Sequence, residues 1–423
     1  ASFGSLGNQN VSSYYTYMRL ITNKDFSNYT FDGSIKGKYS SLGAPVASDL
    51  TWETAQQWDL GLDLTMLNNR LNFTGDVYIR DTKGILGKGK SLPSIYGANE
   101  PQVNSNNLRT KGYELVLGWR DSFKLAGSTF SYGITGTFSD YTAEYTKCDN
   151  PSGLIGGPYV GKKYGEIWGY KVDGLFRNDE EAAEYASRVD LSKVAAGYYS
   201  ATGAYGKGVR GGDIKSLDLD GSGIVDGGKG TLEDPGDRRV IGNSSPRYQY
   251  GLTLNLSWYG FDLSVFMQGI GRLDWYPGAD NLRFWGPYSR PYATFIPKNF
   301  MSQVWSESNP DAYLPRARAY TSLNSTQGTA YYTNDRYLQN IRYLRLKNLT
   351  VGYTIPATLT KKAGIDQIRI YFSGENLCYW SPLKKNTKYV DPEAAINRSS
   401  HAEFNRVYYP WPKTFMFGID VTF

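Results

Sequence analysis

Histidine is almost missing from this chain: its 423 residues include one, His401. That scarcity leaves no room for a metal centre or proton relay built on several imidazoles. Cysteine is nearly as rare, and Cys148 and Cys378, too few to staple a chain of this length and without CxxC spacing, read as two unpaired thiols. No run approaches the roughly 20 consecutive apolar residues that a membrane helix requires, so a helical membrane protein is excluded. A β-barrel is not excluded, because only half of the residues of a spanning strand need be apolar. A basic block suited to a phosphate backbone is missing too: 46 basic and 40 acidic residues are interspersed for a net charge of +6. Nucleic acid is therefore not an expected partner. No signal peptide or targeting segment opens the sequence, where ASFGSLGNQN reads as a strand followed by a turn, and we expect further chain to precede Ala1.

What the chain has in abundance is aromatic residues, 15% of the total with 36 Tyr and 10 Trp, and 47 Gly. The interfacial girdles of a membrane barrel need Tyr and Trp, and so do carbohydrate-binding sandwiches, so composition leaves both open. Periodicity goes further. FMFGIDVTF at 415–423 places Phe415, Phe417, Ile419, Val421 and Phe423 on one face of a strand and small or polar residues between them. TAQQWDLGLDLTM at 54–66 sets Trp58, Leu60, Leu62 and Leu64 against Asp59, Gly61, Asp63 and Thr65; LNNR at 67–70 reverses the chain, and LNFTGDVYIR at 71–80 repeats the alternation. Each of these strands is long enough to cross a bilayer, which takes about 9–11 tilted residues. The plan recurs in GYELVLGWR (112–120) and TFSYGITGTFSD (129–140), joined through 121–128; in YQYGLTLNLSW (248–258) and FDLSVFMQG (261–269), joined at Tyr259 and Gly260; and in YLRLKNLTVGYTI (343–355) and IRIYFSGEN (368–376) before the terminal strand.

The connections alternate in length. Short ones fall at 67–70, 121–128, 259–260 and 356–366, and long ones near 9–53, 84–111, 141–247, 270–340 and 377–412. Outer-membrane barrels combine short periplasmic turns with long extracellular loops, whereas a sandwich or propeller has no reason to sort its loops this way. The fold expected is all-β: an antiparallel transmembrane barrel, its long loops outside and its C-terminus facing the periplasm. About ten strands could close a small barrel, but loops of this size point to a portion of a larger one.

Three stretches carry a family resemblance: LTWETAQQWDLGLDLTMLNNRLNFTGDVYIRDTKGIL at 50–86, GDIKSLDLDGSGIVD at 212–226 with DRRVIGNSSPRYQYGLTLNLSWYGFDLSVFMQG at 237–269, and the end from YLRLKNLTVGYTIP to GIDVTF. In order and spacing the chain resembles the C-terminal part of a SusC-like TonB-dependent outer-membrane transporter. The resemblance implies a plugged barrel of roughly 22 strands, with the N-terminal plug and the TonB box lying outside this chain. It also implies coupling to the TonB complex, a SusD-like surface lipoprotein as a lid, a dimer of transporter–lid pairs, and import of oligosaccharides or, in some members, peptides. No catalysis and no required cofactor are implied. Phe423 matches the aromatic end by which such barrels are recognised for assembly.

Within this frame DLDGSG at 218–223 resembles the start of an EF-hand loop, with Asp218, Asp220 and Ser222 at the first ligand positions, the Ile224 carbonyl and Asp226 following, and Gly223 at the sharp turn. Lys229 stands at the twelfth position and cannot bind a cation. The family's usual version runs directly into an acidic residue before Arg and VIG; here GGKGTLEDPG intervenes, and Asp237 is read as the displaced final ligand of a structural calcium site. An Asp and Gly turn without an ion remains the alternative. DWYPGADNLRFWGPYSRPY at 274–292 and VYYPWP at 407–412 offer the candidate substrate surface: Trp275, Tyr276, Arg283, Trp285, Tyr288, Arg290, Tyr292, Tyr409 and Trp411. Flat rings stack on sugars and polar groups fix hydroxyls, although loop packing, lid contact or a membrane girdle uses aromatics equally.

NDEEAAEYASRV at 178–189 reads as a short surface helix suited to lid docking or packing. Asp391, His401 and Ser399 or Ser400 are the residues from which a catalytic triad could be drawn, but a lone histidine in a polar loop is more often solvated. Two rivals to a nutrient importer stay open on sequence alone: a secreted glycan-binding β-protein and a barrel hydrolase.

Overall fold

The computed structural model describes residues 1–8, 17–31, 35–199, 208–278, 281–288, 296–318, 331–396 and 411–423. Its main element is a ten-stranded antiparallel sheet in which spatial order follows chain order. The strands are β1 (Ser2–Asn8), β2 (Glu53–Met66), β3 (Leu71–Lys88), β4 (Gln102–Leu125) and β5 (Ser128–Lys147), then β6 (Arg247–Trp258), β7 (Phe261–Arg272), β8 (Tyr343–Thr354), β9 (Gln367–Trp380) and β10 (Thr414–Thr422). The chain divides into two compact units, Ala1–Gly61 with Asp76–Tyr113 and Tyr141–Tyr164, and Leu62–Gly75 with Glu114–Asp140 and Gly165–Phe423; β2 to β5 run through both.

In the first unit β1 pairs with β2 from Ser2 opposite Asp59 to Asn8 opposite Glu53. A separate hairpin, Ile21–Phe31 with Ile35–Leu42, lies within the connection that follows β1. Apolar alternation predicts that the third strand stops near residue 80, yet β3 continues to Lys88 and β4 begins at Gln102. These added lengths are polar ribbons held by side chains. Asn104 donates to the carbonyls of Thr51 (2.9 Å) and Gly84 (2.6 Å), and Arg109 grips Asp81 with two nitrogens at 2.7 and 2.9 Å.

The second unit shows why strand and turn were legible. Leu67, Asn68 and Asn69 adopt φ of 57°, 55° and 63°, and the pairs Ala126–Gly127 (47°, 84°) and Tyr259–Gly260 (49°, 83°) are successive left-handed residues. Two such residues in a row give the twist that joins antiparallel strands tightly. The link between β4 and β5 is therefore two residues at Ala126–Gly127, shorter than 121–128, and Asp121–Leu125 continue the strand.

Register turns the alternation into continuous rows across the sheet. One row runs Ile134, Leu254, Val265, Leu349, Gly374, Phe415, and another Tyr132, Leu256, Leu263, Val351, Phe372, Phe417. Between them lies Gly133, Asn255, Ser264, Thr350, Ser373, Met416, so one face is apolar and the other mostly polar. Among the described residues this apolar face is uncovered: Ile134 is 41% exposed, Val351 41% and Phe417 83%.

The buried core lies elsewhere. Three clusters, centred on Trp285 and Tyr337, on Phe176 and Leu191, and on Leu273 and Leu383, are built mainly by the connections between β5 and β6, β7 and β8, and β9 and β10. A water-soluble sandwich would do the reverse, burying its strand faces and leaving its loops polar.

Candidate functional site

The long connections of the second unit fold on an aromatic core of their own. Trp285 is 1% exposed and donates from Nε1 to the carbonyl of Gly278 at 3.0 Å. The Tyr288 hydroxyl, also buried, donates to the Pro315 carbonyl at 2.6 Å. Tyr276 accepts from Asn334 Nδ2 at 3.0 Å and donates to the Tyr332 carbonyl at 3.2 Å, and burial raises its hydroxyl well above the usual range. Trp275 packs edge-on against Phe284 with ring centroids 6.2 Å apart. Of the residues expected at a substrate surface, Trp285, Tyr288 and Tyr276 brace the loops, and the buried Trp285 and Tyr288 have no open ring face. Arg283 and Trp411 do reach the surface. Arg290, Tyr292 and Tyr409 lie outside the described residues, as do Ser399, Ser400 and His401.

Asp391 is engaged by a buried arginine. Arg345, 1% exposed, points Nη2 at both Asp391 oxygens (2.6 and 2.7 Å) and pairs through Nε with Glu393 at 3.0 Å. Its guanidinium lies 4.8 Å from the Tyr379 ring centre. Lys347 completes the group at 2.7 Å from Glu393 and lies 4.8 Å over the Trp411 ring. Lys347 is the residue skipped in the register with β7 and with β9, a bulge that re-aims the strand just where these cations must reach the loop. Sequence reasoning missed this network because its acids and bases lie 46 positions apart. A second buried pair joins Asp213 to Arg318 at 2.8 Å. Burial pushes the Asp213 carboxyl up to about 6 despite that cation.

The acidic turn is compact. Carboxylate oxygens of Asp218, Asp220 and Asp237 lie within 4.8 Å of one another. Asp218 accepts the amides of Gly221 (2.8 Å) and Gly223 (2.9 Å), and the fully buried Asp237 accepts those of Leu219 (2.5 Å) and Asp226 (2.9 Å). Burial raises the Asp237 carboxyl, partly offset by these amides, while the Ser222 amide holds Asp220 low. Asp226 accepts the Gly228 amide (2.6 Å), and the Ser222 hydroxyl donates to the Ile224 carbonyl (3.1 Å). Three hard carboxylates fit a calcium ion by donor type.

A cavity of about 340 Å³ opens beside the loop core, between 282–286, 297–303 and 384–389. Arg283 lines it together with Phe300, Tyr313, Lys384, Lys385 and Lys388. Both cysteines are free thiols, and no helix among the described residues is long and apolar enough to cross a membrane.

No family model matches the chain. Over its whole length it is 26% identical to TonB-dependent receptor P3 of Formosa agariphila and 23% identical to TonB-dependent receptor SusC of Bacteroides thetaiotaomicron. It spans 39% and 37% of those two relatives, well under half of each. Among solved structures, that of the RagAB peptide transporter covers the whole chain at a TM-score of 0.63 and 21% identity, the chain matching 40% of it. These names are of receptors and transporters, not enzymes. End-to-end similarity, the ten-strand meander and the uncovered apolar face together make the chain a relative of the SusC-like TonB-dependent transporters that corresponds to the C-terminal portion of their outer-membrane β-barrel.

Proposed function

We propose that the protein imports oligosaccharides across the Gram-negative outer membrane, driven through TonB, with a SusD-like lipoprotein closing over its long loops. The observation that carries this is the inverted burial pattern, apolar strands uncovered and loops densely cored, which suits lipid around the sheet and a shaped receptor surface beyond it. In this reading the loops face outward, the C-terminus faces the periplasm, and transporter and lid assemble as a dimer of pairs. Oligopeptides are the second reading, supported by the RagAB peptide transporter's likeness in fold. The test is uptake in three strains: wild type, one lacking this protein and one lacking TonB. Both deletions are expected to abolish uptake of the same oligosaccharide or peptide; a deletion strain that takes up every ligand as the wild type does would sink the importer.

The proposal includes a structural calcium ion on Asp218, Asp220 and Asp237, where it would neutralise clustered charge and fix the turn. At a hundredfold excess over its dissociation constant such an ion adds about 3 kcal/mol of local stability. Chelation is expected to lower the melting midpoint of the wild type and to leave Asp220→Ala unmoved. Equal midpoints with and without chelator in the wild type would remove the ion.

A further inference from the structure

We propose that the cavity lined by Arg283, Lys384, Lys385 and Lys388 binds the carboxylates of an acidic oligosaccharide, which narrows the substrate class and rests on the import reading above. Four cationic residues are among those that line about 340 Å³, and among the described residues no carboxylate lines the space. Two of the charges rest on neutral partners. Arg283 donates to the Tyr389 carbonyl at 3.4 Å, and the Lys384 ammonium donates to the Tyr379 carbonyl. Like charges gathered at one concavity raise the local positive potential, so an anion is drawn in from solution. Guanidinium and ammonium donors give a carboxylate charge-assisted hydrogen bonds, the fork of arginine adding direction.

The remaining wall supplies the other half of sugar recognition. Phe300 and Tyr313 line the cavity and Tyr389, 39% exposed, stands at its rim. Aromatic side chains next to hydrogen-bond donors suit a sugar with charged substituents. A peptide is less well served. Its ammonium groups would enter a wall with four cationic residues and, among the described residues, no carboxylate, and the lining segments are short helical turns and loops, Leu282–Trp285, Met301–Gln303 and Pro382–Lys385, which offer no strand edge for main-chain pairing.

The test is calorimetry on the protein purified from outer membranes in detergent, with tetragalacturonate, maltotetraose and tetraglutamate as probes. Tetragalacturonate is expected to bind at least about tenfold more tightly than maltotetraose, to weaken as salt is added, and to lose about tenfold again in Lys385→Ala/Lys388→Ala. Both lysines are exposed, so that variant keeps its fold, checked by its melting midpoint. Equal affinity for tetragalacturonate and maltotetraose, or no change in the double variant, overturns the proposal. Tighter binding of tetraglutamate than of tetragalacturonate overturns it in favour of an acidic peptide. Loss of the anion preference while TonB-dependent uptake persists defeats this inference alone; loss of uptake with the preference intact defeats the import reading alone.

Discussion

Asp391→Ala is expected to free the segment after β9 from the sheet, at a cost of about 3–5 kcal/mol. The guanidinium of Arg345 is buried, and Asp391 supplies its two shortest contacts, at 2.6 and 2.7 Å. Removing that carboxylate leaves a cation too deep for water to solvate and only partly matched by Glu393, which Lys347 also claims. The readout is trypsin cleavage at Lys384, Lys385 and Lys388 in detergent, whose rate follows the population of the opened segment. A rise of roughly two to four orders of magnitude is the expected result. The companion variant Arg345→Met/Asp391→Leu removes both charges and is expected to recover most of the protection. If Asp391→Ala cuts no faster than the wild type, the pair is not what holds this loop.

Leu254→Arg is expected to cost about 2–4 kcal/mol of barrel stability, as a cation facing lipid near mid-bilayer does. Leu254 occupies the middle of β6, opposite Ile134 on one side and Val265 on the other, within an apolar row that crosses the unit. Asn255→Arg, one residue along, points to the polar face and is expected to change stability by well under about 1 kcal/mol. The measurement is urea unfolding in lipid vesicles, comparing the two variants with wild type. Equal losses at both positions would mean that the two faces meet the same solvent.

The difference between Leu254 and Asn255 was legible in the sequence because a strand's side chains alternate with period two, and one lipid face imposes that period without interruption. Turns at 67–70 and 259–260 were legible for a similarly local reason. The polar ends of β3 and β4 were not, because Asn104 and the Arg109–Asp81 pair replace apolar patterning as the glue. Aromatic residues between 274 and 292 misled for another reason: Trp285 in a ligand wall and Trp285 in a loop core have the same sequence signature, and only the segments around Tyr313 and Tyr337 decide between them. DLDGSG is local and its turn could be read, whereas the closeness of Asp237 depends on how the intervening ten residues fold back. Arg345 with Asp391 had no local signal at all.

The import reading turns on whether the uncovered apolar face of the sheet meets lipid. The most direct measurement is extraction of the native protein from isolated outer membranes, first with alkaline carbonate and urea, then with detergent. The protein is expected to stay in the membrane pellet through both washes and to enter solution only with detergent. Release by carbonate or urea alone, as a soluble folded protein, would contradict it.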